Sequence, residues 1–151
     1  MKRSAGVLLY RTRDHALELF LVHPGGPFWA QKDVGVWSIP KGEPTAGESD
    51  EAAARREFAE ETGFAADGPL LPLGEVVQRS GKIVVAYALA GDCDPAQLRS
   101  NTCEVEWPPR SGRRIEIPEV DRGAWFTPDE AAARILPAQL PFLTRLTARL
   151  A

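Results

Sequence analysis

The sequence predicts an α/β sandwich with a mixed β-sheet, and three observations carry that expectation. Runs of branched apolar residues lie both before and after a polar central segment. That segment has the start and stop signals of one helix, Ser49 and Gly63. The chain closes on leucines at helical spacing. Strands on either side of a helix, followed by further helices, make a layered α/β arrangement.

Each element has a local reason. Residues 4–10 (SAGVLLY) and 17–22 (LELFLV) read as strands joined across the polar RTRDHA turn. Residues 23–35, with prolines, paired glycines and two aromatics, read as a loop. A short strand, Val36–Ile39, is expected to lead into Pro40-Lys41-Gly42. The helix then starts at Ser49, with Asp50 and Glu51 complementing its dipole and Ala52–Ala54 supplying propensity. Residues 72–78 and 82–89 form a hairpin around Ser80-Gly81, and a second pair of strands flanks the WPPRSGRR loop at 107–114. Thr127-Pro-Asp-Glu130 is a capping box with proline at the first helical position, opening a helix over 128–136 that Pro137 ends. In the tail, 139–150, Leu140, Leu143, Leu146 and Leu150 are spaced to pack on the sheet. There is no repeat or linker, so residues 1–151 are expected to form a single domain.

Composition narrows the function. Apolar content of 44% and charged content of 26% are those of an ordinary soluble protein. The net charge of −3 argues against binding a nucleic-acid polymer, which favours a basic surface. No apolar run approaches membrane-spanning length, and the start of the chain does not read as a signal peptide. Cys93 and Cys103, without a CxxC or nearby histidine pair, read as plain thiols of a cytoplasmic protein.

The chemistry is concentrated in GEPTAGESDEAAARREFAEETGF, residues 42–64. Positions three and four apart share a helical face, so Glu57, Glu60 and Glu61 are expected to point the same way. Carboxylates so close raise one another's pKa unless a cation sits among them. Mg²⁺ or Mn²⁺, hard ions that take oxygen ligands, suit such a cluster. A metal-dependent reaction on a phosphorylated substrate is the leading expectation.

The same segment resembles the box of the Nudix family, G-x5-E-x7-R-E-U-x-E-E-x-G-U, where U is a bulky aliphatic residue. Gly42, Glu48, Arg56, Glu57, Glu60, Glu61 and Gly63 fill every fixed position, while Phe58 and Phe64 stand at the U positions. At about 5–7% usage per residue type, seven such matches arise by chance with odds on the order of 10⁻⁸ per start position. The resemblance implies the Nudix-type α/β/α sandwich with a mixed sheet. It implies hydrolysis of a nucleoside diphosphate linked to another group, with water attacking phosphorus.

It also implies roles. Glu57, Glu60 and Glu61 would be metal ligands, and the Lys41 backbone carbonyl would complete their site. Arg56 would orient a box glutamate, in reach of Glu60 by its i,i+4 spacing. Glu48 would hold the loop or bind metal through water. Glu119, six residues before Trp125, matches a late-loop glutamate that several family members recruit. The general base is then Glu60 or Glu119, with neither preferred. Lys41 and the loop arginines Arg110, Arg113 and Arg114 are candidates to steady the leaving phosphate. The arginines fit a solvated turn equally well.

For the base of a nucleotide, Phe28, Trp29, Trp37 and Trp107 are candidates to stack, with Trp37 evenly divided between pocket and core. Trp125 and Phe126 read as core anchors, and His23 as a polar residue at a strand end. Trp37-Ser-Ile-Pro40-Lys41-Gly42 resembles the WxxPKG entry of dinucleoside polyphosphate hydrolases, which favours a dinucleoside polyphosphate or NTP over oxidised dNTPs. ADP-ribose and nucleotide sugars are the alternative substrates. A nucleotide-sensing module without catalysis and an isoprenoid diphosphate isomerase are rivals. The first should have lost metal ligands, and the second needs a reactive cysteine facing a glutamate. The partner expected is a small nucleoside diphosphate compound, with monomer and homodimer both open.

Overall fold

The computed structural model describes residues 2–151. Strands β1 (Arg3–Arg13) and β2 (Ala16–Pro24) form an antiparallel hairpin, turned by Asp14 and His15, both at positive φ. A two-residue strand, β3 (Lys41–Gly42), pairs with β1 at Ala5 and Gly6 and leads to helix α1 (Asp50–Thr62). Strands β4 (Leu71–Val77) and β5 (Ile83–Ala90) form the expected hairpin, and β5 runs parallel to β1. Strands β6 (Thr102–Glu106) and β7 (Arg114–Pro118) make a separate two-stranded ribbon. Strand β8 (Val120–Phe126) returns to pair with β2, and helices α2 (Pro128–Arg134) and α3 (Leu140–Leu150) complete the order. The sheet runs β4-β5-β1-β2-β8, with β3 beside β1. One parallel pair among antiparallel ones makes it mixed, as expected.

Alternation along the central strands separates two cores. Val7, Leu9, Phe20 and Val22 face α1, meeting Ala53, Ala54 and Phe58. Leu8, Leu19 and Leu21 face the other way, onto Ala131 and Ile135 and onto Phe142, Leu143 and Leu146 of α3. Helices therefore cover both faces, which is the three-layer sandwich.

Several expectations change. Val36–Ile39 is not a strand: Trp37 and Ser38 make isolated bridges to Ile135 and Val22, and the strand lies beyond them at β3. Strand β8 was not foreseen, because VDRGAWF has no alternating pattern. Helix α2 stops at Arg134, two residues early, since Ile135 turns extended as the C-cap and bridges Trp37. In α3, Leu143 and Leu146 are buried but Leu140 and Leu150 are exposed, and Phe142 takes the inner position. Trp125 lies at the rim of its core, with the Arg11 guanidinium stacked 4.0 Å from its ring, whereas Phe126 is buried.

Candidate active site

Helix α1 is set by its ends. The Ser49 side chain accepts the Ala52 N–H, and Gly63 closes the helix in the left-handed conformation. With those ends fixed, Glu57 and Glu61 turn inward toward β3. A Cβ on Gly42 would overlap the Glu57 carboxylate, so the glycine is required by that close approach. The Lys41 N–H donates to Glu61 Oε1 at 3.3 Å.

Glu60 is the most exposed of the three and accepts from Arg56 Nη1 at 3.0 Å, the same nitrogen that donates to Glu57. Glu57 and Glu60 thus meet at one guanidinium nitrogen, while Glu61 bonds the Lys41 N–H. Among the described residues, no three acidic, histidine or cysteine side chains are gathered as a ready metal cluster.

Arg56 ties the polar side of the site together. Its Nε and Nη2 each donate to one oxygen of Glu48 at 2.9 Å, Nη1 donates to Glu57 at 2.8 Å, and Nη2 also reaches the Glu43 carbonyl. Glu48 in turn accepts from the Thr45 N–H and hydroxyl. Those bonds, Arg56 first, hold the Glu48 carboxyl at about 2 and lift Arg56 above its ordinary value. Of the two roles considered for Glu48, its geometry is that of a loop fastener.

Electrostatics distinguishes the inward carboxylates. Burial pushes Glu61 up to about 8, with Glu119 and Glu57 adding to the rise and Lys41 opposing it. Burial also raises Glu57, against the pull of Arg56. Burial and then Lys82 lower Lys41, while Glu61, Glu57 and Glu119 hold its charge. Buried oxygen donors of elevated proton affinity suit a hard divalent cation, which would displace the proton and supply the missing positive charge. Glu57 and Glu61 are therefore buried residues whose chemistry fits such an ion and that could hold it.

A cavity of about 210 Å³ is lined by the charged Lys41, Glu61 and Glu119 and by Trp29 with the aliphatic Val22, Val36, Ile39 and Leu136. Gln139 supports two of the lining residues, Ser38 and Ile39: fully buried, it accepts the Ile39 N–H at 3.1 Å and donates to Ser38 Oγ at 2.9 Å. The sequence reading had not singled out Gln139 or the aliphatic lining, because these residues come from separate segments. A larger depression of about 780 Å³ lies at Arg11, Asp92 and Trp125. No box residue lines it, and Arg11 is already bonded to Glu18 and Asp92.

Among the remaining candidates, Trp29 reaches the cavity but Trp37 does not. Trp37 is 4% exposed, its ring edge-on to Phe126 and His23 and its indole N–H donating to Asp33. It is corrected from base-stacking candidate to core residue. Arg110 sits at positive φ in the exposed β6–β7 turn, its N–H on the Glu106 carboxylate; neither it nor Trp107 lines the cavity. Phe28 is exposed, with Lys32 Nζ 4.3 Å above its ring.

Comparison with known proteins agrees with this fold. A NUDIX domain profile matches residues 1–146. No curated protein matches the sequence. Among solved structures, an Ap4A hydrolase of C. elegans in a binary complex is similar at 21% identity, TM-score 0.68, covering 99% of this chain and 98% of that one. The NUDIX domain of Shewanella oneidensis NrtR complexed with ADP ribose is similar at 18% identity, TM-score 0.71, covering 100% and 89%. NrtR complexed with a 27mer DNA gives 19% identity and TM-score 0.65, covering 97% of this chain and 61% of that one. Nudix hydrolases generally use divalent metals. The profile spans nearly the whole chain and includes every box position, so the protein belongs to the Nudix family, as a hydrolase of phosphoric anhydride bonds.

Proposed function

We propose that this protein hydrolyses a dinucleoside polyphosphate or NTP, cutting a nucleoside diphosphate from the group it is linked to, with Mg²⁺ or Mn²⁺. The observation that carries the reading is one cavity lined both by Lys41, Glu61 and Glu119 and by Trp29 with aliphatic residues. That mixed lining suits an anionic chain joined to a planar base. Glu57, Glu61 and the Lys41 carbonyl would hold the ion, with Glu60 and Glu119 as further carboxylates. Once bound, the ion neutralises phosphate charge and makes water more acidic.

The remaining work falls to the chain. Arg56 fixes Glu57 and the loop through Glu48. Glu119 is favoured over Glu60 as the base, because Glu60 is exposed and held by Arg56 while Glu119 lines the cavity. Water's oxygen bonds to phosphorus, the anhydride P–O bond breaks toward the leaving phosphate, and the water proton passes to Glu119. Lys41 steadies the leaving phosphate. Trp29 stacks the base.

The WxxPKG entry supports a long phosphate chain, and similarity to an Ap4A hydrolase is in keeping with it. ADP-ribose is the second reading, favoured by the likeness to an ADP-ribose complex. The intact box speaks against a module that only binds. The protein is proposed to work as one domain, monomeric or dimeric, in the cytoplasm. Its net charge of −3 supports a small-molecule partner over a nucleic-acid polymer. Among the described residues no helix is long and apolar enough to cross a membrane.

A panel of dinucleoside polyphosphates, NTPs, oxidised dNTPs, ADP-ribose and nucleotide sugars, with product identification and an EDTA control, tests the reading. Preferred hydrolysis of diadenosine tetraphosphate or an NTP, abolished by EDTA and restored by Mg²⁺ or Mn²⁺, is expected. Preference for ADP-ribose moves the assignment to the second reading. Binding without product refutes catalysis.

A further inference from the structure

We infer that His23 is a positioning residue that fastens the turn carrying Trp29 to the segment carrying Glu119, two lining residues of the cavity; this rests on the cavity being the substrate site. His23 is fully buried near the end of β2 and belongs to no part of the box. Its Nδ1 lies 2.9 Å from Asp121 Oδ1 and its Nε2 lies 2.6 Å from the Lys32 carbonyl oxygen. A carboxylate and a carbonyl both accept. A neutral imidazole has one N–H and one lone pair, so it satisfies only one of them. With hydrogen on both nitrogens the ring donates to both, and such charge-assisted bonds are short and strong in a buried setting.

The two bonds run to two different segments that line the cavity. Lys32 closes the turn that carries Trp29, its own N–H donating to the Trp29 carbonyl at 2.9 Å. Asp121 follows Val120 and Glu119, both of which line the cavity. A parallel tie lies alongside: the Gly25 N–H donates to the Glu119 carbonyl at 2.9 Å, and a Cβ on Gly25 would overlap the Pro118 carbonyl. The Trp37 ring packs edge-on to His23 at 5.1 Å, and Arg122 Nη1 stands 3.4 Å from Asp121 Oδ1. Among the described residues His23 bonds Asp121 and Lys32 and no proposed metal ligand, so it shapes the site through the segments it joins.

Three measurements test this together. Nitrogen NMR of the wild-type ring should show an N–H···O bond from each His23 nitrogen to its partner, Asp121 or Lys32. In His23→Gln, whose side chain cannot donate from both ends, the Trp29 and Lys32 amides should exchange at least about tenfold faster while α1 amides are unchanged. With diadenosine tetraphosphate as the probe, KM should rise about tenfold with kcat nearly constant, since only the fraction with an assembled cavity binds. A double variant with Trp29→Ala should then be no worse in KM than Trp29→Ala alone.

A bare ring nitrogen in the wild type, or unchanged exchange at Trp29 and Lys32, overturns the tether; the NMR result stands even if His23→Gln does not fold. Additive KM effects overturn the coupling to Trp29. If Trp29→Ala leaves KM unchanged in the wild-type background, the cavity is not the substrate site. The proposed function then fails and takes the role of His23 with it, even where the tether itself is present.

Discussion

Glu61 makes the metal-free protein pay in stability for its site, and the size of that effect follows from the geometry. Burial raises its carboxyl from 4.5 to about 8. Its proton is therefore held more tightly in the folded than in the unfolded chain. The resulting stability is fully present below pH 4.5 and is lost progressively as pH rises through about 8. At about 1.36 kcal/mol per pH unit, the interval from about pH 6 to pH 8 removes roughly 2–3 kcal/mol. Carboxyls held low by partners, such as Glu48 and Asp50, titrate below this window and do not mask it. For a chain of this length the loss corresponds to about 5–10 °C in Tm.

The assay is a series of thermal melts in EDTA across that range for the wild type and Glu61→Gln. The wild type should lose Tm as pH rises, and the variant should show a clearly shallower slope. A divalent ion at a hundred times its Kd should return about 2.7 kcal/mol at the alkaline end of the range. Equal slopes for wild type and variant would refute the assignment of this cost to Glu61.

Three other outcomes are expected. Gly42→Ala should push the Glu57 carboxylate off β3, costing about 1–3 kcal/mol by denaturant melt and lowering turnover sharply; an unchanged crystal position of Glu57 would count against it. Arg56→Ala should cost about 2–3 kcal/mol, because Glu48 and the mostly buried Glu57 lose a charged donor together, and Arg56→Lys should recover only part, having no planar fork for Glu48. Glu119→Gln should lower kcat by about 10²–10⁴ and Glu60→Gln by far less, with folding intact in both by circular dichroism; the reverse order would return the base assignment to Glu60.

Local signals were the legible part of this fold. The caps of α1, the capping box of α2 and the β4–β5 and β6–β7 hairpins depend on residues a few positions apart, and they lie where the sequence suggests. Strand β8 depends on β2 instead. Asp121, Arg122 and Gly123 have little strand preference, and only the pairing of His23 with Arg122 and Leu21 with Ala124 makes them extended. Trp37 reads as a pocket aromatic from its place beside Pro40-Lys41-Gly42, but its ring is enclosed by His23 and Phe126, both distant in sequence.

The site divides along the same line. Spacing on α1 identifies Glu57, Glu60 and Glu61, whereas their partners depend on the fold. Glu61 meets β3, and Arg56 holds both Glu57 and Glu60 while gripping a loop residue eight positions away. That arrangement explains why α1 tolerates so little apolar surface. Its buried side includes Ala53, Ala54 and Phe58, but also Glu57 and Thr62. A helix docked by alanines gains little from burial, so capping and Arg56 bonds must help secure it. Replacing Glu61 by an uncharged residue should therefore stabilise the metal-free chain above neutral pH while removing activity. Such opposed effects are the mark of a residue kept for chemistry at a cost to the fold.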